Sequence, residues 1–148
     1  DAQWAALNGG AIVAGDPRPL VLTPLVAVAW EQRAAVLWPR GTGELWGALH
    51  DAVVNPDGWA GVAAANGFAA GSPEASAAAG WGAVKLGHTS PLSSNSGTQA
   101  LLLMAYAYHD KTAGLAPDDI ADPGFQRWLE ELETAVIDFG DSTGTFMT

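Results

Sequence analysis

Ala83-Val84-Lys85-Leu86-Gly87-His88-Thr89-Ser90-Pro91-Leu92-Ser93-Ser94-Asn95-Ser96-Gly97-Thr98 is the stretch on which the reading of this chain turns. It begins apolar, passes through a loop rich in hydroxyls, and runs into a strongly apolar segment over residues 99–108. The pattern predicts a short buried strand over residues 81–86, a polar loop, and a helix over residues 96–110 that is apolar almost all round and therefore buried. The first backbone N–H groups of a helix have no internal acceptor, and the helix dipole places partial positive charge beside them. Small side chains let a ligand approach that backbone, and the hydroxyls of Ser94, Ser96 and Thr98 add hydrogen bonds. A junction of this kind holds an anion or a polar ligand without lysine or arginine. The same residues also admit a plainer role, in which Ser94 or Asn95 caps the helix.

A second junction repeats the chemistry. Residues 136–139 read as a strand, Gly140-Asp141-Ser142-Thr143-Gly144-Thr145 follow, and Phe146 and Met147 begin an apolar segment. Two strand-to-loop-to-helix junctions favour an α/β sheet, in which ligands gather outside the carboxyl ends of the strands. Two converging helix starts make a better polar cradle than one.

Working outward, residues 3–8 suggest a helical turn and Ile12-Val13 a short strand, with Asp16-Pro17-Arg18-Pro19 as a connector. Residues 20–30 form the clearest strand, and Pro24 within it points to an edge, a bend or a crossing between substructures. A helix is expected over residues 31–38, stopped by Pro39. Thr42 is the expected cap of another, whose inward face carries Leu45, Trp46, Leu49 and Val53. Asn55-Pro56-Asp57-Gly58 marks a turn. Residues 60–80 are dominated by alanine and glycine, with a helix expected from Pro73. Asp122 and Pro123 open a helix whose inward stripe is Phe125, Trp128, Leu129, Leu132 and Val136, with Glu130, Glu131 and Glu133 on the solvated face.

The chain has 148 residues, enough for one domain with a real core, and nearly half of them are hydrophobic. Seven tryptophans are scattered along it, each a candidate for the core or for a cleft wall. Sixteen acidic residues against six basic ones give a formal net charge of −10, which opposes binding to nucleic acid or to anionic membranes. The absence of cysteine removes disulfides, thiol catalysis and thiolate metal sites. No apolar run approaches the length of a membrane span, and no stretch of the sequence reads as a signal peptide. The start at Asp1, without an initiator methionine, suggests a processed or excised chain.

The ordered set of motifs is similar to a known family. Thr23-Pro24-Leu25-Val26 followed by Trp30, Trp81-Gly82 with Lys85-Leu86-Gly87-His88-Thr89-Ser90-Pro91, Ser94-Asn95-Ser96-Gly97, and Asp141-Ser142-Thr143-Gly144 resemble bacterial extracellular solute-binding proteins. The likeness is closest to the substrate-binding domains sometimes linked to a von Willebrand factor type A domain, and it runs from about residue 20 to the end. The resemblance implies a type II periplasmic-binding-protein-like fold, in which two α/β lobes joined by crossing strands close on a ligand. Each lobe is then a three-layer αβα unit, a small mixed sheet flanked by helices. Residues 1–19 become the tail end of a first lobe, 20–30 a hinge crossing strand, and 31–148 a truncated second ligand-binding lobe. Most of the first lobe and the return strand after Thr148 are missing from the pattern. The chain is thus expected to be a fragment, or to take its partner lobe from a second copy.

The resemblance further implies that Thr23, the Ser94-Asn95-Ser96-Gly97-Thr98 junction and Ser142-Thr143-Gly144 face the cleft. Relatives with similar hydroxyl-lined helix starts bind oxyanions such as phosphate, sulfate or molybdate, and others bind sugars or metals. The implied partners are a small polar or anionic solute, the first lobe or a second copy, and a membrane transporter or a von Willebrand factor A domain. The implied location is extracellular, at the cell surface or periplasmic.

No cofactor or resident metal is expected. A ferric site usually wants clustered tyrosines, and Tyr106 and Tyr108 fall in a helix where they pack. His50, His88 and His109 lack metal-ligand spacing. His88 is expected to order its loop or to touch ligand. A serine hydrolase is the weaker alternative, because no Gly-x-Ser-x-Gly elbow is present. The Gly41-Thr42-Gly43 loop lacks the Gly-Lys-Thr ending of a phosphate loop. The expected function is non-enzymatic solute binding, with a structural or protein-interaction module as the second reading.

Overall fold

A computed structural model of the chain describes residues 24–39, 41 and 44–146. The elements expected over residues 3–8, at Ile12-Val13 and at Asp16-Pro17-Arg18-Pro19 lie outside these residues, as do Thr23, Thr42 and Met147. The described chain is mostly helical, with one two-stranded parallel sheet.

Local chemistry sets most of the boundaries. Helix α1 spans Glu31–Leu37, and Asn66 Nδ2 donates to its last carbonyls, those of Val36 and Leu37, at 2.9 and 3.1 Å. Helix α2 spans Leu45–Val53 and is capped by Glu44, whose carboxylate accepts the N–H groups of Trp46 and Gly47. A carboxylate here satisfies two orphan donors and also meets the positive end of the dipole. Helix α3 spans Gly58–Ala65 and α4 spans Pro73–Ala79, the latter opened by Ser72, whose Oγ accepts from Ala75 N–H, with Pro73 at the first turn. Strand β1, Leu86–Thr89, leads into helix α5, Asn95–Tyr108. Helices α6, Pro117–Ala121, and α7, Pro123–Thr134, follow; Asp122 accepts Gly124 N–H at 2.8 Å, so the expected Asp-Pro start is present. Strand β2, Val136–Gly140, and the short helix α8, Thr143–Phe146, complete the described chain.

The core has two parts. One gathers Val36, Ala52, Trp59, Val62, Ala63, Ala78 and Val84 from α1 to α4 and the loop before β1. The other gathers Ala100, Met104 and Leu132, with Trp46, Leu49, Leu86, Trp128 and Leu129 packed around them. Val53 on α2 touches both, so α2 joins the helical subcluster to the sheet-bearing half. Helices α3 and α4, both rich in small residues, pack against each other, and residues 66–72 connect them as a loop.

Several expectations need correction. The sheet is parallel among the described residues, where a mixed sheet was expected. Residues 24–30 carry no strand and are exposed, so the described part of the expected crossing strand joins no sheet among the described residues. The strand expected at residues 81–86 begins only at Leu86. Before it, Gly82 turns with φ +71° and its carbonyl accepts Trp59 N–H at 2.9 Å, while Trp81 and Val84 pack inward as loop residues. Helix α5 is not buried all round: Ala100, Met104 and Ala105 are inside, but Leu102 and Leu103 face solvent.

One glycine fixes the approach of α5 to the sheet. A Cβ on Gly97 would stand 2.2 Å from the carbonyl oxygen of Thr89 and 2.7 Å from Pro91 N, both backbone atoms. Alanine ordinarily favours a helix by about 1 kcal/mol over glycine, but here the clash is with main chain, which cannot rotate away. Gly97→Ala is therefore expected to destabilise the fold by about 2 kcal/mol or more, read by urea unfolding. An unchanged or higher midpoint would contradict the close approach.

Candidate functional site

Parallel pairing of β1 with β2 brings the carboxyl ends of both strands to the same edge, with Thr89 opposite Gly140. Ser90 N–H continues the ladder onto the carbonyl of Gly140 at 2.8 Å, and Ser93 Oγ donates to the carbonyl of Asp141. The loop after each strand is thereby held against the other, and each loop starts a helix.

Ser96, in the first turn of α5, is the node where they meet. Its Oγ lies 2.8 Å from Thr89 Oγ1, 2.9 Å from Ser94 Oγ and 2.8 Å from Thr143 Oγ1. A hydroxyl has one donor and two acceptor positions, so three hydroxyl neighbours saturate Ser96. Thr89 is only 5% exposed, whereas Thr143 stands in the open. The cluster thus runs from a buried strand end, through Ser96, to a surface hydroxyl. Ser94 occupies the N-cap position but makes no capping bond to the backbone, because its hydroxyl turns to Ser96. The plain capping role expected for Ser94 is therefore not the geometry found. Thr98 Oγ1 donates to the carbonyl of Pro91 at 2.9 Å and pins the loop to the helix. Asn95, Ser142 and Gly144 are exposed at the same edge, and Gly97 is buried as a spacer. Of the residues expected at the site, Thr23 alone lies outside the described residues.

His88 is occupied. Its Nε2 is 3.0 and 3.2 Å from the two carboxylate oxygens of Glu133, its Nδ1 is 2.9 Å from the carbonyl oxygen of Thr89, and Phe139 meets the ring edge to face. A carboxylate and a carbonyl accept only, so these contacts favour the protonated ring, in which both nitrogens donate. The hydrogen bond to Glu133 raises the His88 pKa above the ordinary 6.5, burial opposes it, and the Thr89 carbonyl adds to the rise. Both ring nitrogens are engaged by protein acceptors and are not turned toward a ligand. His88 orders the strand end that carries Thr89.

Glu133 and Glu131, read from sequence as a solvated face, are corrected by these pairings. Glu131 Oε2 lies 2.6 Å from His50 Nε2, and His50 also stacks on Trp128 at 5.2 Å. His109 Nε2 donates to the carbonyl of Asp119 at 2.9 Å. The three histidines are held apart by separate partners, and among the described residues no group of three or more His, Asp or Glu side chains is arranged to hold a metal ion. Thr89 is the member of the cluster that sequence reasoning missed. In β1 Leu86 and His88 are half-buried and Thr89 is buried, so a period of two read from Leu86 would point Thr89 outward.

The junction is a surface feature. Two open depressions, of about 360 Å³ and 460 Å³, lie elsewhere: one against Ala60, Phe68 and Ala75, the other against Trp30, Arg33 and Trp81. Among the described residues no helix is long and apolar enough to cross a membrane. Comparison with family models, with curated proteins and with solved structures finds no match to this chain.

The raised pKa of His88 has a definite sign in stability. The group binds its proton more tightly folded than unfolded, so its contribution is complete below pH 6.5 and is lost as pH rises through the native value. Unfolding free energy measured at a series of pH values is expected to fall over that rise, and His88→Gln is expected to flatten it. An equal slope in the variant would contradict the pairing with Glu133.

Proposed function

We propose that this chain is a non-enzymatic solute-binding lobe of an exported substrate-binding protein, of the three-layer periplasmic-binding-protein type. Its ligand is a small polar molecule or an oxyanion. The observation that carries this reading is the 2.8 Å contact between Ser96 Oγ and Thr143 Oγ1, which joins the two hydroxyl-bearing turns at one edge of a parallel sheet. Such edges are where open α/β sheets receive ligands.

The roles follow from hydrogen-bonding capacity. Ser96 is saturated and holds the cluster together. The ligand is met by the remaining positions of Thr143 and Ser94, by Ser142, and by the N–H groups in the first turn of α5, which the Ser94 side chain leaves uncapped. The α5 dipole adds partial positive charge there. Among the described residues no lysine or arginine belongs to the cluster, and the net charge of −10 repels polyanions, so small oxyanions and neutral polar ligands suit it best. An open edge becomes an enclosed site when a second lobe or a second copy covers it. The side chain of Leu92, 98% exposed in the same loop, and the exposed Phe139 of β2 are apolar groups that such a cover would bury.

The second reading is a protein-interaction module. The exposed apolar run Leu25, Val26, Val28 and Trp30 favours it. It predicts self-association or partner binding by light scattering, and a strictly monomeric chain whose behaviour is unchanged by Val28→Ser would count against it.

Calorimetry with sulfate, phosphate, molybdate and a neutral sugar tests the first reading. One of these is expected to bind, and Thr143→Ala, at an exposed position, is expected to weaken it by about tenfold, or 1.4 kcal/mol, with the fold intact. Absence of binding by all four, or affinity indifferent to Thr143→Ala, would overturn it.

A further inference from the structure

A second feature lies on residues that the hydroxyl junction does not use. The Arg33 guanidinium lies over two indole rings, 5.8 Å from the centroid of Trp59 and 5.5 Å from that of Trp81. These rings meet edge to face at 5.4 Å, and Trp59 is buried. A cation is thereby fixed against a rigid aromatic corner. Among the described residues no carboxylate pairs with it, although the chain has sixteen acids against six bases. A guanidinium held over indole rings keeps its charge and its N–H groups, a planar fork that matches a carboxylate.

That arginine lines an open depression of about 460 Å³, together with Trp30, Glu31, Gln32 and Trp81. Trp30 is 76% exposed, an extreme value for so large an apolar ring. The wall thus offers one fixed cation, flat aromatic surface, a carboxylate and an amide. Glu31 and the net negative charge repel a dianion or a polyanion but tolerate one negative charge placed on Arg33. Hydroxyl groups are the natural donors to Glu31 and Gln32, and the apolar face of a saturated ring is the natural partner for an indole.

We propose that this depression is a binding site for a sugar acid, a hydroxylated ring bearing a single carboxylate. Arg33, held by Trp59 and Trp81, donates two N–H groups to the carboxylate, the exposed Trp30 takes the apolar face of the ring, and Glu31 and Gln32 accept from its hydroxyls. The site shares no residue with the Ser96–Thr143 junction and does not depend on that reading.

The test is an NMR titration of the chain with D-glucuronate, following the indole N–H signals, with D-glucose and acetate as controls. Binding of glucuronate with a dissociation constant near 1 mM is expected, with glucose and acetate at least about tenfold weaker. Arg33→Gln and Trp30→Ala are each expected to weaken glucuronate by about tenfold or more. Trp30 is exposed, so Trp30→Ala keeps the test valid if Arg33→Gln disturbs the aromatic corner. No response to glucuronate, equal response to glucose or acetate, or full affinity in Trp30→Ala would overturn the assignment.

Discussion

The architecture rests on a close backbone approach at the carboxyl end of β1. The first turn of α5 passes so near the carbonyl of Thr89 that only glycine fits at position 97. That approach places Ser96 within hydrogen-bond reach of Thr89 on one side and of Thr143 on the other. Side chain and backbone act together here. The missing Cβ sets the distance, and the hydroxyl of Ser96 uses its whole bonding capacity to hold it. His88 supports the same point from below, since its Nδ1 donates to the Thr89 carbonyl while Glu133 of α7 holds its other nitrogen.

Around this point the two cores divide the labour. The sheet-bearing half is closed by Leu132 and Met104, which tie α7 to α5 beneath the strands. The helical half packs alanine-rich α3 and α4 against α1, and its aromatic corner of Trp59 and Trp81 fixes Arg33. Val53 is shared by both clusters, so the junction and the arginine corner are connected through α2. The uncovered apolar side chains, Leu102 and Leu103 on α5 and Ile137 and Phe139 on β2, lie in the half that carries the junction. They are consistent with a covering partner there, as the solute-binding proposal requires.

Much of this was legible from residues whose signals are local. Asp122 and Pro123 announced α7, Ser72 and Pro73 announced α4, and the apolar-to-hydroxyl transitions at residues 86–98 and 136–145 announced both junctions. What sequence reading missed was set by distance or by irregular backbone. Helix α3, Gly-Trp-Ala-Gly-Val-Ala-Ala-Ala, has no polar face to give it a period. The start of β1 moved because Gly82 turns the chain and gives its carbonyl to Trp59. Glu131 and Glu133 looked solvated because their histidine partners lie 81 and 45 residues away. Thr89 was missed because it departs from the alternation of β1, and the glutamate that caps α2 comes two residues after the threonine expected in that role.

The account turns on hydroxyl contact between two loops that are distant in sequence, Ser96 and Thr143 being 47 residues apart. A double-mutant cycle measures that contact directly, through the unfolding free energies of Ser96→Ala, Thr143→Ala and the pair. A coupling of about 0.5–1.5 kcal/mol is the expected result. Strict additivity of the two substitutions would mean that the loops do not touch in solution, and the shared ligand edge would go with them.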